Sequence, residues 1–529
     1  MAEHISFDGG GIIAHLRLSA MARLRPHLAF IALLLILFLT FLDNTIISAV
    51  LANVQADLHS GVSDLQWIVG GYALAFASLM LMCGSIGDNY GRKKMMLIGV
   101  AIFCGGSVVC AMASSSTMLV IGRIVMGVGA AASEPGTLSM LRHIYPEPRK
   151  RARALGAWAA VSGLALAMGP VIGAVLVGIW NWRAIFWFNL VFGGAALLLA
   201  VVVLPAGAEP TRHRLDYLGF VLGAFAIGAT TYATIGGETA GYLSSGIITL
   251  YVVSGLAIVA FVWVELRTHY PMFNLNFFRH PPFAGSTFIA LTTYFAILSI
   301  FFFVALYLEI VANASAYQLA LDFLPLLVGM VAASIMTGRW VATVGSRVPM
   351  MMGCLAAAMG VLLTDVAIAP SAGPFTVGLT MGLAGIGFGI IIVPMTSVAL
   401  TSLPAENSGM AASMTNTSRE IGAVAGVAIL GSIVNGQLTV QLTKRLVAIG
   451  IPEAYRAQII TAVTTGQISA QEKSLQGKTS DAVQQIIKKV IAAAYDAFQR
   501  GLHLALTISF FLLAISAAVA YFTGTREST

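Results

Sequence analysis

Charge is what this chain has least of. Asp, Glu, Lys and Arg together make up 10% of its 529 residues, while 58% are hydrophobic. A soluble domain carries about 25% charged and about 45–50% apolar residues. So much apolar surface has no place in water, which excludes a soluble enzyme or binding module and leaves lipid as the solvent. Cysteine is sparse as well. Cys83, Cys104, Cys110 and Cys354 all fall in apolar stretches without metal-ligand spacing, so they read as small packing residues rather than disulfides or a metal site. The nine histidines are scattered. No GxxxxGK[ST] phosphate loop is present, so ATP is not the expected energy source, and no cofactor is expected. A net charge of +7 would suit nucleic acid, but its placement follows membrane topology, and no nucleic-acid partner is expected.

A membrane span needs roughly 20 predominantly apolar residues. That rule yields fourteen helices, over 27–51, 66–87, 95–113, 116–139, 153–178, 184–205, 216–236, 246–266, 285–311, 322–344, 349–369, 374–399, 409–434 and 501–523. The first is too long for a signal-peptide core and lacks a small-residue cleavage site, so residues 1–26 are expected to stay as a cytoplasmic tail, with Gly9-Gly10-Gly11 as a flexible segment. An even number of spans puts both termini on one side. Short loops on that side hold Arg92, Lys93, Lys94, Arg142, Arg149, Lys150, Arg151, Arg153, Arg212, Arg214, Arg267, Arg279 and Arg347, whereas the opposite short loops hold almost no base except Arg183. The positive excess marks the cytoplasm, so both termini are expected there, in a bacterial inner membrane.

Residues 435–500 are the one long polar segment and are expected outside, with Val483, Ile486, Ile487, Val490, Ala494 and Phe498 on one face of a helix capped by Ser480 or Asp481 and packed on the outer surface of the bundle. The expected organisation is a tail over 1–26, a six-helix half over 27–205, two inserted helices with linkers over 206–284, a second six-helix half over 285–523, and a tail over 524–529.

Two short segments half a chain apart read as copies. Gly84-Ser-Ile-Gly87-Asp88-Asn-Tyr-Gly91-Arg92-Lys93-Lys94 and Gly338-Arg339-Trp-Val-Ala-Thr-Val-Gly345-Ser346-Arg347 each lie between two apolar stretches. A charged hairpin repeated at one place in two membrane halves is the mark of a duplicated transporter. Leu42-Asp43-Asn44-Thr45-Ile46, Arg123 through Gly127 to Gly129, and Gly163 through Gly169-Pro170 to Gly173 follow in the first half, with Trp182-Arg183, Phe186 and Asn189 at the entry to helix six. Late in the chain come Gly385, Gly387, Gly389, Pro394, Pro404, Gly409, Asn416, Arg419, Gly422, Gly426 and Gly431. In these motifs, taken in order, the chain resembles the major facilitator superfamily and, within it, the fourteen-helix drug:proton antiporters. Departures exist. The group usually has asparagine and proline where Ser48 and Ala52 stand, glutamine in place of Met126, Glu309 and Glu420, and proline in place of Val191.

The residues themselves say what such a carrier would use. Asp43 follows about sixteen residues of an apolar run and lies toward the outer half of the bilayer. A bare carboxylate there is costly, and a proton-coupled carrier needs a group that is charged in one state and neutral in another. The alternative is a structural acid held by helix-end hydrogen bonds. Arg123, within helix four, must find a partner, either Asp43 or a backbone carbonyl; the resemblance implies a part in proton transfer. Glu134, Glu309, Asp365 and Glu420 are further acids in apolar surroundings. Glu134, Glu309 and Glu420, with Asn416, Arg419 and Tyr72, are the candidates for a substrate cavity, where a carboxylate in low dielectric would attract an amphipathic cation; for Glu309 and Asp365 the rival account is snorkelling to the interface. Gly163, Gly169, Pro170 and Gly173 thin a helix and free a carbonyl, and by resemblance mark antiporters.

Gly84, Asp88, Gly91 and Arg92, with Gly345 and Arg347 in the second copy, are the gating candidates. Asp88 is expected to pair with Arg149, Arg151 or a helix N-terminus, and Val344 stands where the second copy lacks that acid. Trp67, Tyr72, Phe186, Trp187, Tyr294 and Tyr307 are either cavity-lining or interfacial aromatics, the belt being the expectation for Trp182 and Trp187.

The expected whole is an all-α polytopic protein that exchanges protons for hydrophobic small molecules or drugs, cationic ones among them, by alternating access, as a monomer, with no cofactor beyond the proton gradient. A dedicated metabolite or lipid-like carrier of the same fold, export or symport, is the alternative. A membrane enzyme or receptor is disfavoured by the lack of a polar catalytic cluster at either face. By resemblance, a periplasmic adaptor protein is a conceivable further partner.

Overall fold

The computed structural model describes residues 9–60, 62–205, 216–268, 271, 274–310, 316–368, 374–404, 408–453, 455–456 and 481–524. Among them every regular element is helical: α1 (Gly9–Ile46), α2 (Leu51–Leu58), α3 (Val62–Tyr90), α4 (Arg92–Ala111), α5 (Ser116–Ile144), α6 (Pro148–Ile179), α7 (Ala184–Val203), α8 (Tyr217–Ala240), α9 (Ser245–Arg267), α10 (Pro281–Ser299), α11 (Ala305–Ile310), α12 (Ala316–Val344), α13 (Arg347–Ala367), α14 (Pro374–Thr401), α15 (Ser408–Ile449) and α16 (Asp481–Thr523). Short 3₁₀ turns cover Ile47–Val50 and Leu275–Arg279, and a π-helical stretch, Ile300–Val304, joins α10 to α11. Lipid leaves backbone groups no other partner, so a chain this apolar must hydrogen-bond within each segment.

Eleven of these helices are long and apolar enough to span, thirteen if α3 and α6, each bent by more than 40°, count as one span apiece. The chain is therefore a multi-pass membrane protein. The one expected span not among these thirteen, 409–434, lies on α15. It carries the polar run Thr415, Asn416, Thr417, Ser418, Arg419 and Glu420 ahead of an apolar stretch.

The helices form two bundles. In the first, α5 packs on α3 and α4, and α1 packs on α5, α6 and α7; in the second, α14 packs on α12 and α13, and α10 packs on α15 and α16. The bundles meet where α6 lies on α12 and where α15 crosses α3 and α5. One apolar core runs through both. Of the inserted pair, α8 leans on α3 and α15, while α9 touches chiefly α8 and is largely exposed along its length.

Glycines let these helices approach backbone to backbone. A Cβ on Gly385 would lie 2.0 Å from the Leu326 carbonyl oxygen of α12, and one on Gly387 2.1 Å from the Ala357 nitrogen of α13, so the alternate glycines of α14 serve both neighbours. Gly422 and Gly426 do the same for α15 against α10. In α6 the bend, 45°, falls between Leu166 and Val171. Pro170 has no N–H to offer the Leu166 carbonyl one turn back, and the Thr45 hydroxyl of α1 donates to that oxygen at 2.9 Å instead. Gly169 admits Thr45 there, since a Cβ would meet its oxygen at 2.0 Å; Gly163 likewise admits Met330 of α12, and Gly173 is buried.

Three expectations need correction. Gly9–Gly11 open α1 rather than forming coil, because the good helix formers from Ala14 to Arg25 carry the helix back through Pro26. In the polar segment after 434, α15 continues to Ile449, and the helix expected to start near Asp481 does start there but as the first part of α16, continuous with the last span. These two extensions pack on each other through Leu442, Leu446, Val490, Ala493 and Ala494, tied by Arg445 to Asp496. Burying one apolar face against the other needs no contact with the bundle. Val490, Ala494 and Phe498 of the expected face are buried; the side chains of Val483, Ile486 and Ile487 lie outside the described residues. Finally, Trp67 packs on Tyr232 of α8, ring centroids 4.9 Å apart, and Trp182 is buried, so Trp67 lines no central cavity and Trp182 is no belt residue.

The helix contacts make a direct prediction. Gly385→Val should lower the thermal midpoint in detergent by the equivalent of about 1–3 kcal/mol, the cost of overpacking, whereas Gly105→Ala, with nothing within 4 Å of its Cβ position, should not lower it. Equal midpoints for the two variants would contradict the packing.

Candidate functional site

Asp43 lies in the last turns of α1 and is fully buried. Its Oδ2 is ion-paired with Arg123 of α5, and its Oδ1 accepts from the Asn189 side-chain nitrogen of α7 at 2.7 Å. Arg123 also donates through Nε to the Ile68 carbonyl of α3 at 3.0 Å, and its guanidinium lies over the Tyr72 ring, 4.5 Å from the centroid. Tyr72 in turn donates to the Thr40 carbonyl of α1 at 3.3 Å. Four helices thus close on one buried ion pair. A cation and a carboxylate this deep are tolerable only together, so a change of charge on Asp43 unbalances Arg123 and, with it, the packing of α1, α3, α5 and α7.

Asn189 belongs to this site and was quoted in the sequence only as part of a helix entry. Its signal was there: it is the one amide or ionisable side chain in the apolar run of α7, and an isolated amide at such depth has to find a polar partner.

A second polar cluster joins the two bundles. Glu134 of α5 is 2% exposed, and its Oε1 accepts from Asn416 of α15 at 3.2 Å. The Asn416 oxygen accepts from Arg419 at 3.0 Å, and Arg419 also donates to the Thr396 hydroxyl of α14. The Arg419 guanidinium faces the rings of Trp158 (5.2 Å) and Tyr294 (5.4 Å). Trp158 itself donates to Thr137, one turn beyond Glu134. Glu420 is near enough to Glu134, Tyr72 and Tyr294 to act on them electrostatically. Five of the six sequence candidates for a cavity therefore converge between the bundles. The sixth, Glu309, has its side chain outside the described residues.

At the end of the molecule that carries the repeated hairpins, Asp88 bridges the bundles. Its Oδ1 takes a 2.8 Å bond from Arg92 Nε and its Oδ2 a 2.9 Å bond from the Met410 backbone nitrogen in the first turn of α15. The helix N-terminus was expected as a partner and is one; the base bonded to Asp88 here is Arg92, one turn away on the same side, while Arg151 donates to the Pro146 carbonyl. Arg92 reaches on to His143 at 2.5 Å. Arg142 donates to the Leu400 and Leu403 carbonyls at the C-terminal end of α14, 2.7 and 3.2 Å away. An anion thus meets one helix N-terminus and a cation one C-terminus, both favoured by the helix dipole.

Gly91 turns the chain with φ +108° and Gly345 with φ +84°, conformations that favour glycine. Gly84 lines a recess with Cys83 and Asp88. In the second copy Arg347 lies over the Tyr521 ring at 4.2 Å, with no acid bound to it among the described residues, and Val344 is exposed.

At the opposite end Arg183, the exception among the short loops of that side, is explained by Asp57: the two are 2.7 Å apart, and Trp182 donates to the same carboxylate at 3.0 Å. Hydrogen bonds from Arg183 and Trp182 hold the Asp57 carboxyl below its usual range. Asp365 does not snorkel; His503 of α16 donates to it at 2.6 Å.

Comparison with known proteins adds independent findings. The sequence model of the Major Facilitator Superfamily matches residues 33–427. The multidrug resistance protein Stp of Mycobacterium tuberculosis (strain CDC 1551 / Oshkosh) is 31% identical over 92% of this chain and 90% of its own. The methylenomycin A resistance protein of Bacillus subtilis is 32% identical over 77% of this chain and 88% of its own. The tetracenomycin C resistance and export protein of Streptomyces glaucescens is 28% identical over 97% and 94%. Among solved structures, a bacterial homologue of the human lysosomal transporter Spinster, inward-facing and unoccupied, superposes with a TM-score of 0.57 at 16% identity, over 95% of this chain and 99% of that one. A proton:xylose symporter gives 0.55 at 15%, over 76% and 87%. These likenesses concern the fold.

The buried pair predicts strong coupling. Arg123→Met and Asp43→Leu should each cost about 3–5 kcal/mol of stability by stranding a charge, while the double variant should be more stable than the sum of the two by about 1–3 kcal/mol. Thermal unfolding of the four proteins in detergent measures the cycle, and additive losses would contradict the pairing.

Proposed function

The chain belongs to the major facilitator superfamily, and from that premise we propose that it is a proton-coupled antiporter that exports hydrophobic, cationic small molecules, drugs among them, by alternating access. Three of its relatives are named for resistance to, or export of, antibiotics or multiple drugs. The observation that carries the reading is the fully buried Asp43–Arg123 pair with Asn189. Its carboxylate is the coupling group: a proton arriving from outside neutralises Asp43 and releases Arg123, while substrate entering the cytoplasm-open cavity favours the deprotonated form. Alternation of these two states is what turns a proton gradient into substrate efflux.

In this reading the Asp88–Met410 and Arg142–Leu400 contacts belong to the state closed toward the cytoplasm, and breaking both lets the bundles rock apart. The substrate occupies the space between the bundles near Tyr72, Glu134, Asn416, Arg419 and Glu420, where carboxylates in low dielectric attract a cation. The energy source is the proton gradient alone, without a bound cofactor. The protein lies in the cytoplasmic membrane as a monomer with both termini inside; the basic loops carry that orientation. The rival, a dedicated metabolite carrier of the same fold, shares every feature except breadth of substrate.

Vesicles loaded with ethidium and given an imposed pH gradient test the proposal. Efflux should collapse when the gradient is dissipated and should be lost in Asp43→Asn, with the variant present in the membrane at normal amount. Gradient-driven efflux that survives the substitution would remove Asp43 from the coupling step, and no ethidium movement at all would favour the narrow metabolite carrier.

A further inference from the structure

The cluster around Glu134 has a direction built into it. Arginine only donates, so its bond to Asn416 fixes the amide with the oxygen toward Arg419 and the nitrogen toward Glu134. A positive group is thereby joined to a carboxylate through one amide dipole, and the join crosses from α15 to α5. Glu134 is 2% exposed, and its second oxygen, Oε2, is buried and meets no hydrogen-bond partner among the described residues. Arg419 is equally buried, and its Nε likewise meets none. A carboxylate accepting a single bond from an amide leaves most of its hydrogen-bonding capacity unmet in a low-dielectric interior, which makes it a receptor for a positively charged donor.

The groups that face Glu134 from the neighbouring helices are Arg419 and Glu420 on α15, Tyr72 on α3 and Tyr294 on α10. Among these the one cation is Arg419, which reaches Glu134 only through the amide. Glu134 also lies on α5 eleven residues beyond Arg123, about 16 Å along the helix. It is therefore apart from the Asp43 pair yet on the same rigid element.

We propose that Glu134 is a second proton-binding site, separate from Asp43, whose charge is read across the two bundles by Asn416 and Arg419. With Glu134 ionised, the Arg419–Asn416–Glu134 chain holds α15 to α5. A proton on Glu134 removes the charge that the amide bond serves and leaves Arg419 uncompensated, so the two bundles part more readily at this level. A cationic substrate entering near Glu134 displaces that proton, and each turnover then exchanges one more proton than the Asp43 site alone would provide. The inference rests on the export reading above and adds a site and a stoichiometry to it.

The test is the number of protons exchanged per ethidium in proteoliposomes, obtained from the pH gradient at which net ethidium flux reverses. Wild type, Glu134→Gln and Glu134→Asp are compared, each checked for an unaltered melting temperature. Glu134→Gln should slow ethidium flux and shift its reversal point to that of one proton fewer per ethidium, and Glu134→Asp should restore the wild-type number; a merely structural role would change rates without moving the reversal point. An unchanged reversal point in Glu134→Gln overturns this inference while leaving the export reading intact. A wild-type protein whose ethidium flux ignores the pH gradient overturns both.

Discussion

The cost of holding charge in hydrocarbon organises this molecule. The deeply buried arginines, Arg123 and Arg419, are both satisfied by a combination of hydrogen bonds and aromatic faces, and each sits on a helix that contributes to the meeting of several others. Arg123 is paired directly with an acid inside its own bundle, whereas Arg419 reaches an acid of the other bundle only through an amide. A direct ion pair is rigid and all-or-none; an amide-relayed one is weaker and easier to break. The first suits a switch within a half, the second a contact between halves that must be made and broken in each cycle.

Other contacts connect these centres to the shape changes a carrier needs. Thr45, two residues after Asp43, donates to the carbonyl that Pro170 leaves open at the bend of α6. The same helix α6 meets α12 farther along, where Gly156 and Gly338 bring the two backbones together. A shift of α1 that follows a change of charge on Asp43 therefore bears on the helix that forms much of the contact between the bundles. At the basic-loop end the closing contacts run from side chains of one bundle to helix termini of the other, at Met410 and Leu400. Such contacts hold without a deeply buried inter-bundle ion pair, and so can be opened at modest cost.

Much of this was legible in the sequence, for a physical reason. In a membrane protein an ionisable residue inside an apolar run is rare and must be matched, so Asp43, Arg123, Glu134, Arg419 and Glu420 stood out by composition alone. The glycine motifs were equally readable as sites of helix contact, though not which helix each one met. Which distant residue each acid would meet was not legible. The Met410 nitrogen that holds Asp88, the His503 that holds Asp365 and the Asn189 that completes the Asp43 site lie 322, 138 and 146 residues from their partners. No local pattern encodes such separations. The amphipathic helix from Asp481 was legible, but not its continuity with the last span nor its packing on an α15 that runs past the membrane, where apolarity is no longer the guide.

The central claim is that Asp43 gives up a proton when a cationic substrate binds. Its most direct test is proton release from the purified, unbuffered protein on addition of ethidium, followed with a pH-sensitive dye. The account predicts release in proportion to bound ethidium in the wild type and a smaller release in Asp43→Asn under conditions where that variant still binds ethidium. Ethidium binding with equal proton release in both proteins, or with none in the wild type, would contradict it.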